Sequence, residues 1–351
     1  MLRHVSSPLR LYSGAGCLDR LGPELRRVGA DRVVLLTSPS LLNTYALTQT
    51  VRALGQALIT VLPDVQRQSP RRVVENIAVR LTELGADGVA VLGGGSAMVT
   101  ARAAVIALAE AQPIHGLCSF QDAQGRRQSP RLTRPKIPIV SIPTTPSTAV
   151  AKPAAAVLDQ GTRLSLFDPK TRPQAIFLDP ECLATAPDSL VLSSTANTFV
   201  SAVEGFLRCR DPFAEADLRQ ALRLLGPDRT RIDLAFAAVL CGRATDHTGL
   251  GVATVLSHAL AAVCGADGGG AKAVLLPHVV KTLSSDERAA LNDVLGPRDL
   301  SQAMGWLRQP KTLRELGIAR DQLGRVVQHF EQDWVSGEAS ADPMRLLSAA
   351  F

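Results

Sequence analysis

The sequence predicts an α/β domain on a mainly parallel sheet over residues 1–180, followed by an all-helical domain over residues 181–351. Three observations predict it. Short apolar, β-branched runs recur through the first half, each bounded by turn residues and separated from the next by a helix-forming stretch. Those runs cease near residue 180, beyond which the chain reads as a succession of helices. Finally, 351 residues suffice for two ordinary domains, and no Gly/Ser linker divides the halves, so close packing with a cleft between them is expected.

Residues 32–37 form the first run, ending at Ser38-Pro39-Ser40, and residues 57–62 the second, closed by Pro63. Ser69-Pro70 reads as a helix start, a capping hydroxyl followed by proline in the first turn, and residues 73–84 carry helical periodicity. The run 89–92 stops at Gly93-Gly94-Gly95-Ser96, after which 97–111 is helix-forming. Residues 137–142 end at Pro143-Thr144-Thr145-Pro146, and 175–178 at Asp179-Pro180. Strands that are apolar on both faces belong to a parallel sheet covered on both sides. Helices are then expected over 189–209, 212–225, 231–246, 250–263 and 271–283.

Composition narrows the function classes. With 46% hydrophobic and 20% charged residues, and no acidic, glutamine or serine tract, the chain is globular rather than disordered. The net charge of +6 includes a cluster at Arg126, Arg127, Arg131, Arg134 and Lys136. No aromatic residues interleave with it, so it reads as a solvated loop rather than a nucleic-acid surface. The six cysteines are scattered without a C-x-x-C pair, which argues against a disulfide framework or a cysteine zinc site. Most are expected to be small core residues of a cytoplasmic protein. The first ten residues are too polar for a signal peptide, and no apolar run approaches the roughly 20 residues of a membrane span.

Two loops at strand ends invite a nucleotide. Glycines at Gly93, Gly94 and Gly95, followed by Ser96, would let backbone N–H groups approach a diphosphate at a helix start. This turn is not the G-x-G-x-x-G fingerprint. Thr144, Thr145 and Thr148 offer hydroxyls in the loop after the 137–142 run, and Thr37 closes an earlier strand. Ligands of open α/β sheets sit at this carboxyl edge.

The order of Gly14-Ala15-Gly16, the GGGS turn, the Pro-Thr-Thr loop and Asp179-Pro180 resembles the iron-containing (group III) alcohol dehydrogenases, within the dehydroquinate synthase-like superfamily. Gly249-Leu250-Gly251, the stretch around His258 and the run ending Leu276-Pro277-His278 extend the resemblance over the whole chain. The stretch 312–318 leans towards the maleylacetate reductase branch. The resemblance implies NAD or NADP, and a metal held by Asp and His one helical turn apart plus two further histidines. Those ligand positions fall here on Asn197, Ser201, Thr254 and Gly268. Neutral oxygens and a glycine cannot replace a carboxylate and three imidazoles, so no metal is expected there. Family positions that contact the diphosphate and nicotinamide are also altered, to Val99, Arg102, Ser147 and Ala149.

Three residues are expected to carry chemistry in the cleft. His258 matches a histidine near the nicotinamide in the family and could relay a proton. Lys272 could supply the positive charge otherwise given by a metal, and Asp246 stands beside His247 ahead of Gly249. Glu204, one turn after Ser201, is either a candidate base or a structural partner for an arginine. His278 reads as a packing residue, and His4, His115 and His329 carry no motif. The leading expectation is a metal-independent NAD(P)-linked dehydrogenase or reductase acting on a small molecule as a homodimer, with no nucleic-acid or membrane partner. A non-redox lyase, dehydratase or cyclase in the same cleft, or a non-catalytic paralogue, are the alternatives.

Overall fold

Ten strands run along the computed structural model, which describes residues 2, 4–6, 8–124, 127–296, 300–333 and 342–351. They are β1 (Arg10–Ser13), β2 (Val33–Leu36), β3 (Leu58–Leu62), β4 (Gly88–Gly93), β5 (Phe120–Gln121), β6 (Arg127–Gln128), β7 (Ile139–Pro143), β8 (Ala154–Asp159), β9 (Thr162–Phe167) and β10 (Ala175–Leu178). Six of them form one sheet in the order β1-β10-β7-β4-β2-β3, with every neighbouring pair parallel. Every residue of β2, β4, β7 and β10 is buried, which is why these strands read as unbroken apolar runs.

One face of the sheet packs Leu35, Leu92, Ile142 and Phe177 against Leu21 and Leu25 of the helix Leu21–Arg27, Leu47 of Tyr45–Leu54 and Cys182 of Pro180–Ala184. The helix Gly95–Glu110 packs on β4, β7 and β8, beside Arg71–Glu83. The chain runs outward from β2 to β3, then returns to β4 on the other side of β2. The switch point therefore lies between β2 and β4, where ligands of open α/β sheets bind.

The predicted architecture stands: a parallel α/β unit, then helices. The compact units are Ser6–Thr145 with Ala149–Pro187, and Met1–Val5 with Pro146–Thr148 and Asp188–Phe351. The division falls beyond position 180 because the helix Pro180–Ala184 packs on the sheet side, against Tyr45–Leu54 and β7. In the helical unit, Asp188–Arg208 packs against Pro212–Arg223, Arg231–Thr248, Val252–Cys264 and Gly268–Val280.

Three expectations are corrected. The strands β1, β8 and β9 were not predicted; β8 and β9 form an antiparallel hairpin turning on Gln160 (φ 47) and Gly161 (φ 83). Lys136 is not solvated: its side chain is fully enclosed, with Nζ 2.7 Å from Glu110 and 3.0 Å from Asp168. Arg131 and Arg134 are exposed as expected, while Arg126 lies outside the described residues. Among the described residues one single helix, Asp188–Arg208, is long and apolar enough to cross a membrane by composition alone, but 67% of its apolar window is buried inside the protein, as in a core helix. None of the six cysteines is in a disulfide, and burial pushes the Cys17 thiol up to about 12 and Cys118 to about 11.

Candidate functional site

In the α/β unit, the carboxyl ends of β2, β4 and β7 are tied together by backbone and hydroxyl contacts. Thr37 donates its hydroxyl to the Leu92 carbonyl (3.0 Å), and the Thr144 amide donates to the Gly93 carbonyl (3.1 Å). Gly93 has φ 152, and a Cβ there would lie 2.9 Å from that of Ala97. A Cβ on Gly94 would lie 2.7 Å from the Thr145 hydroxyl, so the two loops approach each other because Gly94 has no side chain.

The helix Gly95–Glu110 begins at Gly94 without a side-chain cap. Its first-turn N–H groups therefore remain for an anion, favoured further by the helix dipole. Gly94, Gly95 and Ser96 are each partly exposed. These residues fit a diphosphate. Arg102, at a position that contacts cofactor in the resembling family, is instead fully buried and donates to the carbonyls of Ala154 (2.8 Å), Ala149 (3.0 Å) and Thr171 (3.4 Å). It braces the segment after β7 from within. Thr148 is buried and packs with the helical unit, where Thr198 donates to the Pro146 carbonyl (3.2 Å).

The helical unit holds a second polar group, in which a buried ammonium and a buried carboxylate contact Ser201 and Thr254, two of the family's ligand positions. Lys272, only 3% exposed, donates from Nζ to the Ser201 hydroxyl at 2.9 Å. Glu204, one turn after Ser201, accepts from the Ala253 amide (2.6 Å), the Thr254 amide (3.1 Å) and the Thr254 hydroxyl (2.6 Å). It thus caps the start of Val252–Cys264, so its hydrogen-bond partners are a helix start and a threonine hydroxyl rather than an arginine. The cap is possible because the chain bends by 104° between Arg231–Thr248 and Val252–Cys264, with Gly251 at the N-cap. A Cβ on Gly251 would come within 2.6 Å of the Glu204 Cβ. Burial pushes the Glu204 carboxyl up, opposed by the Thr254 hydroxyl, the Lys272 charge and the two amides.

Lys272 is positioned by its own helix start. Asp267 caps Gly268–Val280 by accepting from the Gly270 amide (2.8 Å) and is itself held by the Ser193 hydroxyl (2.6 Å). Asp267 is therefore structural. Gly268 opens this helix with nothing within 4 Å of a would-be Cβ. Asn197 is partly buried one turn before Ser201. His258 is partly buried and shares a helix face with Thr254 at i+4. Asp246 is not brought to this group: it is exposed, on the side of Arg231–Thr248 away from Cys241, Ala244 and Thr245. The donor set at these positions does not fit iron or zinc. Thr254 is committed to Glu204, and the Lys272 ammonium beside Ser201 would repel a divalent cation.

Residues 8–180 match the family described as iron-containing alcohol dehydrogenase. A 4-hydroxybutyrate dehydrogenase from Cupriavidus necator is 25% identical over 375 residues, covering 96% of each chain. Maleylacetate reductase 1 from Cupriavidus pinatubonensis is 24% identical over 336 residues, covering 90% of this chain and 87% of the relative. Among solved structures, the sulfoacetaldehyde reductase of Bifidobacterium kashiwanohense in complex with NAD+ shares the fold, with a TM-score of 0.85 at 17% identity over 100% of this chain and 98% of that one.

Proposed function

Because the chain belongs to the iron-containing alcohol dehydrogenase superfamily, we propose that it is an NAD(P)-linked oxidoreductase interconverting a small carbonyl compound and its alcohol without a metal at the family's ligand positions. The observation that carries the reading is the buried Lys272 ammonium, 2.9 Å from Ser201, among those positions. A bound nicotinamide supplies or accepts the hydride. The uncapped amides of Gly95–Glu110, with the Gly93-Gly94 turn, bind its diphosphate. Lys272 stabilises negative charge on the substrate oxygen, the task otherwise given to a cation. Ser201, accepting from Lys272, keeps its own proton available for that oxygen, and His258 exchanges the proton with solvent. Glu204 balances the lysine charge inside the helical unit.

Calorimetry with NAD+, NADH, NADP+ and NADPH, beside a nicotinamide-absorbance screen of small aldehydes and keto acids after chelation, tests the reading. At least one nicotinamide is expected to bind. Lys272→Met is expected to keep that affinity and lose roughly 10²–10³ in kcat. Failure to bind any of the four, or a ferrous ion whose binding disappears with Thr254→Val, would overturn it.

A further inference from the structure

Folding gathers three metal-ligating side chains in the helical unit, none of them at the family's ligand positions. Asp211 caps the helix Pro212–Arg223: its Oδ1 accepts from the Phe213 amide (2.9 Å) and the Ala214 amide (3.3 Å). That fixes the carboxylate and turns Oδ2 towards two imidazoles. His4 Nδ1 lies 2.6 Å from Oδ2, and His247 Nδ1, at the end of Arg231–Thr248, lies 3.7 Å from the same atom. The three ligand atoms all fall within 4.8 Å of one another. The imidazoles stack, with centroids 4.5 Å apart and planes at 15°, and Phe213 flanks His4 at 4.8 Å.

We propose that His4, Asp211 and His247 form a binding site for a first-row divalent cation, zinc being the best match, which fastens the N-terminal segment to the ends of two helices. Three arguments support it. Zinc bonds to nitrogen and oxygen are roughly 2.0–2.2 Å, so ligand atoms on one tetrahedral ion sit about 3.3 Å apart. The two separations from Asp211 Oδ2, 2.6 and 3.7 Å, bracket that value, and the third lies within 4.8 Å. Two imidazoles and a carboxylate are a donor set that suits zinc, with the remaining coordination left to water. The backbone amides on Oδ1 orient the ligand as an outer shell does in metal sites. Ligation takes the Nδ1 lone pair of neutral His4, whose single ring proton then resides on Nε2. The ligands come from positions 4, 211 and 247, so the site exists only in the folded chain and its occupancy stabilises that state.

The test is loading with zinc sulfate alone, exhaustive dialysis, and elemental analysis beside thermal melting of the full chain. The parent is expected to retain about one equivalent and to melt higher with zinc. His4→Gln and His247→Gln are each expected to lose both the retained metal and the zinc-induced rise. Asp211→Asn removes a helix cap as well, so the two histidine variants carry the decision. No retained zinc in the parent, or equal retention in both variants, would overturn the site and leave a metal-free carboxylate–imidazole contact. Neither measurement involves nicotinamide turnover, so this inference and the oxidoreductase reading fail separately.

Discussion

At the scale of single residues, the helical unit turns on which glycines can gain a carbon. Gly251 cannot: its Cβ would overlap the Glu204 side chain, whose three hydrogen bonds start the Val252–Cys264 helix. Gly251→Ala must displace a buried carboxylate, and a loss of about 2 kcal/mol or more in urea unfolding is expected. Gly268→Ala meets nothing and is expected to stay within about 0.5 kcal/mol, which makes it the control. Lys272→Met makes a different prediction. Burial already raises the Glu204 carboxyl above its ordinary value, and Lys272 is one of the groups holding it down. A raised carboxyl favours the folded state at low pH and costs stability once pH passes its folded value. Removing Lys272 lifts it further. The stability deficit of Lys272→Met against the parent is therefore expected to be largest near neutral pH and to narrow on acidification, as read by melting at a series of pH values.

At the scale of elements, the start of Gly95–Glu110 is the feature most open to attack without touching the helical unit. Gly94→Ala puts a carbon 2.7 Å from the Thr145 hydroxyl and forces the two strand-end loops apart. A tenfold or greater loss of nicotinamide affinity, roughly 1.4 kcal/mol, is expected by calorimetry, with little change in the melting of the helical unit. This edge was legible in the sequence because wholly buried strands appear as apolar runs and their ends are marked by Gly93-Gly94-Gly95 and Pro143-Thr144-Thr145. The edge strand β1 was not, since Arg10 and Ser13 are exposed and Leu11 and Tyr12 are only partly buried. The hairpin hid for a related reason: Ala154–Asp159 is rich in alanine and half-exposed, although Gln160-Gly161 between alternating residues was a turn signal. Within the helical unit, Lys272 could be suspected from sequence, but its partner could not. The Ser201–Lys272 and Glu204–Thr254 contacts span 71 and 50 residues, and no local pattern encodes such pairings. Asp246 illustrates the converse: it sits beside a motif in sequence, yet the helix turns it to solvent.

At the scale of the whole molecule, the α/β unit stores ionic stability in two environments that a single titration would blur together. At Glu24, burial pulls the carboxyl upward, but hydrogen bonds from Tyr12, Arg27 and Arg10 outweigh it and hold it below its ordinary value. At Glu110 the hydrogen bond from Lys136 does the same, and at Asp159 that from Arg71. A lowered carboxyl contributes stability above its unfolded value and loses it as pH falls through the folded one. Melting temperature is thus expected to fall on acidification below about pH 4.5 for the glutamates and 3.8 for Asp159, the values these groups have without partners. Salt then separates them. The partners of Glu24 are open to water, with Arg10 51% and Arg27 41% exposed, whereas Lys136 is fully enclosed between Glu110 and Asp168. At about 1 M salt the screening length shrinks to roughly 3 Å, which weakens exposed pairs and reaches enclosed ones far less. Arg27→Met is expected to cost well under 1 kcal/mol at low salt and nothing measurable at high salt. Lys136→Met removes the enclosed cation that contacts both Glu110 and Asp168, and is expected to cost on the order of 3 kcal/mol at both salt concentrations. Urea unfolding of both variants at two ionic strengths reads the difference. A Lys136→Met deficit that vanished with salt would mean the loop carrying it opens to solvent, returning the basic cluster to the solvated state its sequence suggested.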